Sequence, residues 1–269
     1  LWELRSNGSW TDVSRSAGYS MTQQGCWDFA RFGDNIIAVS CSLNPQRFEM
    51  GVSTTFEDLG GSPPAGRSVK VLRDQVFISG LSSDPTKIVW SALNDITGWT
   101  EGVDQAGAQT FPDVGECHGV YGANVGYVFF DRAIYIAQYV GPPLVWQFDK
   151  ISDGRGAISR QMIAEFGDVI FFLSEDGFWM LQGGQLTPIG HEKVDYTILT
   201  DLHRARVWLA SCTVDPVRKL VLFSYPSVTE PEAGCTRIAA YSWPTQRWTE
   251  VIYECPLLVP ARTFGYNLD

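Results

Sequence analysis

Three histidines, at 118, 191 and 203, and six cysteines, at 26, 41, 117, 212, 235 and 255, are the first candidates for reactive or metal-ligating side chains in this 269-residue chain. No two histidines stand at ligand spacing with Asp, Glu or Cys on a shared face. Cys117 and His118 are adjacent, so within a strand their side chains point to opposite faces. The cysteines form no Cys-x-x-Cys pair and no zinc spacing. No secretory leader is read at the start, so free thiols in a reducing compartment are expected. Paired carboxylates stand near aromatics in Ser174-Glu175-Asp176-Gly177-Phe178-Trp179. Glycoside hydrolysis needs such a pair, one as acid and one as base or nucleophile. The same residues also make a tight hairpin turn, and that reading is preferred. There is no Gly-x-Ser-x-Gly elbow and no phosphate loop. The expectation is no catalytic residue, no metal ligand and no cofactor.

Two charged loops offer contact chemistry instead. Ser152-Asp153-Gly154-Arg155-Gly156-Ala157, with Asp153 and Arg155, is read as a channel-facing or neighbour-facing tongue on which Arg155 meets a phosphate or a carboxylate. Its other reading is an ordinary connection between repeats. The acidic insertion Pro226–Gly234 carries Glu230 and Glu232 and either docks a neighbour or is simply solvated.

These loops must be held by a scaffold, and the chain repeats a scaffold theme. A turn-forming Asp or Asn precedes an apolar, β-branched or aromatic run at Asp34, Asp74, Asn124, Asp168 and Asp215, in steps of 40, 50, 44 and 47 residues. An all-β period of roughly 40–50 residues is that of a propeller blade. Strands are read at 27–32, 36–40, 48–52 and 55–59, then at 68–72, 75–79, 87–92 and 98–102. Next come 117–121, 126–130, 133–139 and 144–151, then 162–166, 169–174, 178–181 and 185–188. The last set is 206–213, 219–225, 236–243 and 247–252. Val194, Ile198 and Leu202 recur at helical spacing, which predicts one short helix within 191–202. Ser9–Val13 matches the second half of a unit and Leu257–Asp269 the first half. The sequence therefore predicts an all-β, single β-propeller of about six blades. The units are 27–65, 66–114, 115–159, 160–203 and 204–256, with a closing blade shared by 1–14 and 257–269. Sharing would bring Trp10 and Phe264 into one sheet and pair edges otherwise open to aggregation. Trp10, Trp90, Trp99, Trp179, Trp243 and Trp248 are read as blade aromatics. The Trp-Thr pairs at 10, 99 and 248 suggest outer-strand rings packed over a neighbour.

Composition narrows the partners. Aromatic residues make up 13% and charged residues 19%, which suits a strand-rich core. Net charge is −10, from 30 acidic and 20 basic residues. A broad grip on duplex DNA needs an excess of Lys and Arg, so that class is disfavoured. An acidic wall instead lets DNA pass. Arg outnumbers Lys by 15 to 5, and Arg forks suit paired interfaces. No apolar run approaches a membrane span.

Three passages resemble tail hub or nozzle proteins of short-tailed bacteriophages, also described as packaged-DNA stabilisation proteins. They are Lys87–Thr100, Phe172–Phe178 with Leu186–Gly190, and Ser224–Ser227 with Ala240–Trp243 and Arg247-Trp248. The likeness spans roughly residues 85–250. It implies a virion tail protein, assembled in the host cytoplasm, that forms a ring of identical subunits below the portal and its adaptor. Six copies are the family expectation, a number unrelated to the blade count. Genomic DNA would pass through the channel without sequence-specific binding. Separately, Ser174–Trp179 resembles the Asp-box of sialidases, but it lacks the residue expected between Asp and Gly. The alternative reading is therefore a glycan-binding or glycan-hydrolysing propeller of a virion or cell surface. A cellular interaction scaffold is a third.

Overall fold

The structure, a computed structural model, describes residues 1–5, 7–21, 25–230 and 234–259. Contacts divide the chain into two compact units, Leu1–Gly154 and Arg155–Asp269.

The first unit opens with a two-stranded sheet, β1 (Trp2–Leu4) and β2 (Trp10–Asp12). Three four-stranded antiparallel meanders follow. The first is β3 (Asp28–Phe32), β4 (Asn35–Ser40), β5 (Leu43–Glu49) and β6 (Glu57–Asp58). The second is β7 (Gly66–Leu72), β8 (Gln75–Leu81), β9 (Lys87–Trp90) and β10 (Gly107–Thr110). The third is β11 (Cys117–Gly122), β12 (Gly126–Phe130), β13 (Ala133–Gly141) and β14 (Val145–Asp153). The leading strands touch one another, β3 against β7 and β7 against β11. That is the inner-strand arrangement of a propeller. Asp28 ties the first two: one carboxylate oxygen accepts from Ser68 Oγ and from the Val69 amide, both at 2.9 Å.

The second strands β8 and β12 are buried along their whole length, so they read as unbroken apolar runs. Val76 and Ile78 of β8 pack with Ile37 and Val39 of the preceding sheet. Phe77, on the opposite face, packs with Val128, Phe130 and Trp146 of the following one. Alternation along one strand thus feeds two inter-sheet layers, and each fully buried large side chain contributes about 2 kcal/mol.

The second unit holds two such meanders. One is β15 (Ile163–Phe166), β16 (Val169–Ser174), β17 (Gly177–Gln182) and β18 (Gln185–Pro188). The other is β19 (Ser211–Asp215), β20 (Leu220–Tyr225), β21 (Arg237–Ser242) and β22 (Arg247–Ile252), with β15 against β19. Between them lies α1 (Asp195–Asp201), which puts Ile198 into a core of Phe171, Phe178, Val221, Phe223 and Tyr241. The fold is an all-β propeller-like arrangement of about six blades, with five four-stranded sheets and one two-stranded sheet among the described residues. No helix among the described residues is long and apolar enough to cross a membrane.

Several boundaries differ from the sequence expectation. Residues 98–102 form a loop, and the fourth strand of the second meander is Gly107–Thr110. Asn94 adopts φ +56°, and Asp95 Oδ1 accepts from the Thr97 amide and hydroxyl, so the chain turns before Trp99. β5 begins at Leu43 and ends at Glu49, earlier than 48–52. Residues 204–209 form a 3₁₀ turn, so β19 starts at Ser211. The helix does fall within 191–202, and it starts at Asp195 because the Gly190 carbonyl gathers the amides of Lys193, Val194 and Asp195 into a turn first. Residues 260–269, including Phe264, and Glu232 lie outside the described residues.

Candidate functional site

The Ser174–Gly177 turn that raised the question of catalysis joins β16 to β17. Ser174 pairs directly with Gly177, whose φ of +133° lets the strand restart at once. Both carboxylates of the turn are engaged. Arg155 donates from Nε and Nη2 to Asp176 Oδ2 at 2.8 and 2.6 Å, and Trp179 Nε1 donates to Asp176 Oδ1 at 2.9 Å. The guanidinium carbon of Arg155 sits 3.8 Å from the Trp179 ring centroid. Glu175 pairs with Arg204. Partial burial pushes the Asp176 carboxyl up, but the bonds and charge from Arg155 and Trp179 outweigh it and leave it below the usual range.

Asp195, at the start of α1, lies behind this turn and accepts from the Phe178 amide at 3.0 Å. Burial raises its carboxyl, against the lowering effect of the Phe178 bond and of His191. Gly177 and Gly190 both face it, and a Cβ at either position would sit on its oxygens. The cluster thus holds one carboxyl biased toward ionisation and one biased toward the proton, beside a half-buried indole. Among the described residues, no group of three or more His, Cys, Asp or Glu is arranged to hold a metal ion.

The other predicted contact residues are placed as follows. Asp153 ends β14 and accepts from Lys150 Nζ at 2.9 Å, and this bond lowers its carboxyl. Arg155 pairs with the carboxylate of Asp176 in its own unit. Glu230 stands 3.7 Å from Arg237, which also faces Glu250 at 3.9 Å. His118, on the opposite side of β11 from the buried Cys117, contacts Asp131 at 2.8 Å. Burial pushes the Cys117 thiol up to about 12.

The tryptophans divide. Trp90 stacks on Phe77 at 5.7 Å and donates to Gln105 O. Trp243 stacks on Phe171 at 5.7 Å, and Trp248 on β22 packs on Phe178 at 4.7 Å. Trp99 packs on the core from a loop and donates to Ile96 O, so it is not an outer-strand ring. Trp10 is 63% exposed, contrary to the packed position expected for it. It lies on β2 of the two-stranded sheet. Sequence reading also missed an apolar groove of about 270 Å³ in the first unit, lined by Trp2, Val13, Phe29, Ile36, Phe48 and Phe56. Trp2 is 64% and Phe29 50% exposed beside it. Its residues come from six separate stretches, and no local pattern joins them.

Solved structures share this architecture. The computationally designed Ika8 protein aligns at a TM-score of 0.55 and 8% identity, over 95% of this chain and 70% of its own. YCF48 bound to D1 peptide aligns at 0.53 and 13%, over 85% of this chain and 66% of its own. The dihydro-heme d1 dehydrogenase NirN in complex with DHE aligns at 0.52 and 12%, over 90% of this chain and 49% of its own. YCF48 and NirN are β-propellers, and at these identities the likeness concerns fold alone. The chain therefore spans just under two thirds of YCF48 and about half of NirN. No protein-family model matches the chain, and no curated protein matches it.

Proposed function

We propose that this chain is a structural, non-enzymatic propeller: a ring-forming component of a short-tailed phage tail, of hub or nozzle type, around the DNA channel. The reading is supported by the three resembling passages. One observation favours scaffold over catalyst. The Ser174–Gly177 turn has both of its carboxylates engaged by arginines, Glu175 by Arg204 and Asp176 by Arg155. Stiff meanders hold the subunits in register, and a net charge of −10 keeps DNA from adhering as it passes. Its partners would be identical subunits, a portal or adaptor protein and other tail proteins. Electron microscopy of the purified protein, and of particles carrying it, tests this. Closed rings with a central channel are expected, and a lone monomer absent from every tail would sink the proposal.

A second reading, glycan hydrolysis, draws on the opposed bias of Asp176 and Asp195 beside Trp179. Hydrolysis of a glycan panel that disappears in Asp195→Asn would favour it. Absence of activity across the panel would remove it.

A further inference from the structure

Cys235 and Cys255 face each other at the open end of the last sheet. The β21–β22 ladder runs from Ser242 opposite Arg247 to Arg237 opposite Ile252. It then continues past both strands. The Tyr253 amide donates to Thr236 O at 3.0 Å, and the Cys255 amide donates to Cys235 O at 2.8 Å. This last bond is a single one, a residue out of step with the ladder, and with standard backbone lengths its N···O distance of 2.8 Å holds the two Cα atoms within about 6.7 Å, inside the span a disulfide bridges. Both are buried, Cys235 at 1% and Cys255 at 9% exposure, and both are reduced. Ser224 on β20 touches both: its hydroxyl donates to Cys255 O at 3.3 Å and bonds the Cys235 thiol. Cys235 Sγ also donates to Leu209 O at 3.2 Å. After burial, the closeness of Cys255 is a further cause that raises the Cys235 thiol. The other four cysteines lie at 26, 41, 117 and 212, and Cys212 pairs across its strand with Phe223.

We infer that Cys235 and Cys255 are a redox pair that closes into a cross-strand disulfide, clamping the segment after β22 to the segment before β21. The oxidant is a low-molecular-weight disulfide such as oxidised glutathione. One cysteine, as thiolate, attacks a sulfur of the oxidant. A mixed disulfide forms and one small thiol leaves with the proton. The second cysteine then attacks the protein-side sulfur, giving the Cys235–Cys255 bond and releasing the second small thiol. Two protein thiols are oxidised and one small disulfide is reduced to two thiols. Access comes from the outer strand, where Ile252 and Tyr253 are 71% and 65% exposed, so that end of the ladder opens most readily. Burial makes the exchange slow at neutral pH and faster as pH rises. The clamp does not depend on the tail reading.

The full chain, held folded in an oxidised glutathione buffer and then alkylated, tests this by intact mass and peptide mapping. The expected product is one cross-linked peptide pair containing Cys235 and Cys255, and a mass loss of about 2 Da. Closing this loop is expected to raise the melting temperature by roughly 5 °C. Cys255→Ser and Cys235→Ala should each abolish both changes, while Cys26→Ser should leave them intact. Full alkylation of all six cysteines after equilibration, or a cross-link to any other cysteine, would overturn the inference. A far-UV spectrum identical to that of the reduced protein guards against reading misfolded material.

Discussion

Trp146 on β14 donates its indole N–H to Gln75 Oε1 on β8 at 2.8 Å, linking two blades through side chains that are both fully buried. The Gln75 amide completes the knot by donating to Ser91 O at 2.7 Å and Gln105 O at 3.1 Å. Gln105 in turn accepts from Tyr139 OH at 2.6 Å. Gln75→Leu keeps the volume but strands the Trp146 indole N–H and the Ser91 carbonyl, while the Gln105 carbonyl keeps its bond from Trp90. A loss of about 3 kcal/mol in urea unfolding is expected. A loss under about 1 kcal/mol would mean that water replaces the amide.

Arg155 binds through its shape as well as its charge. Arg155→Lys keeps a cation but loses the two-nitrogen grip on Asp176 and the flat stack on Trp179. The expected cost is about 1 kcal/mol, because the side chain is one third exposed. A shift in tryptophan emission should accompany it. An unchanged spectrum and midpoint would remove Arg155 from any positioning role.

How legible these contacts were depends on their range. The blades at 115–159 and 160–203 could be read strand by strand, because Gly126–Phe130 and Val169–Ser174 are unbroken apolar runs between Gly and Asp turns. β5 was displaced because Pro45 lies within it. That proline is tolerated where the pairing of β4 with β5 shifts register, between Ala38 and Ser40, so its missing N–H is not required. Trp99-Thr100 mimicked Trp248-Thr249 in sequence, but the Asn94–Asp95 turn decided its conformation. At the site, the strand turn was legible and its partners were not. Arg155 meets Asp176 across 21 residues and Arg204 meets Glu175 across 29, distances over which periodicity carries no information.

Asp195 and Gly190 should be coupled. A Cβ at Gly190 would displace the Asp195 carboxylate from the Phe178 amide. Gly190→Ala is expected to cost about 2 kcal/mol, and Asp195→Ala about 1.5 kcal/mol. The double variant should cost little more than Asp195→Ala alone, since the clash is gone. Simple addition of the two costs in a denaturant cycle would refute the steric coupling.

The raised carboxyl of Asp195 fixes the sign of a pH effect. A carboxyl raised by folding adds stability below its unfolded pKa, and that stability is lost as pH rises through the folded value. Asp195→Asn removes this loss and keeps an oxygen for the Phe178 amide. The variant should therefore melt higher than the parent at pH 7, by roughly 0.5 kcal/mol after solvent screening, and match it near pH 3. Asp153 and Asp215 run the other way: their lowered carboxyls add stability above the ordinary Asp range and lose it in acid. Calorimetry across pH 3–7 separates the two, and a variant advantage that grows toward acid would contradict the assignment.

Every strand in the five large sheets bonds only to its neighbours in sequence. Strand pairing is therefore local to each blade, while adjoining blades are joined by side-chain layers and by isolated bonds such as that from the Arg73 amide to the Ala123 carbonyl. Injury to such a chain is compartmented: a lesion at Gln75 loosens two adjoining sheets, and one at Asp195 loosens two others. Melting by parts, rather than in one collapse, is the characteristic weakness of a molecule laid out in this way, and also the source of its tolerance to change.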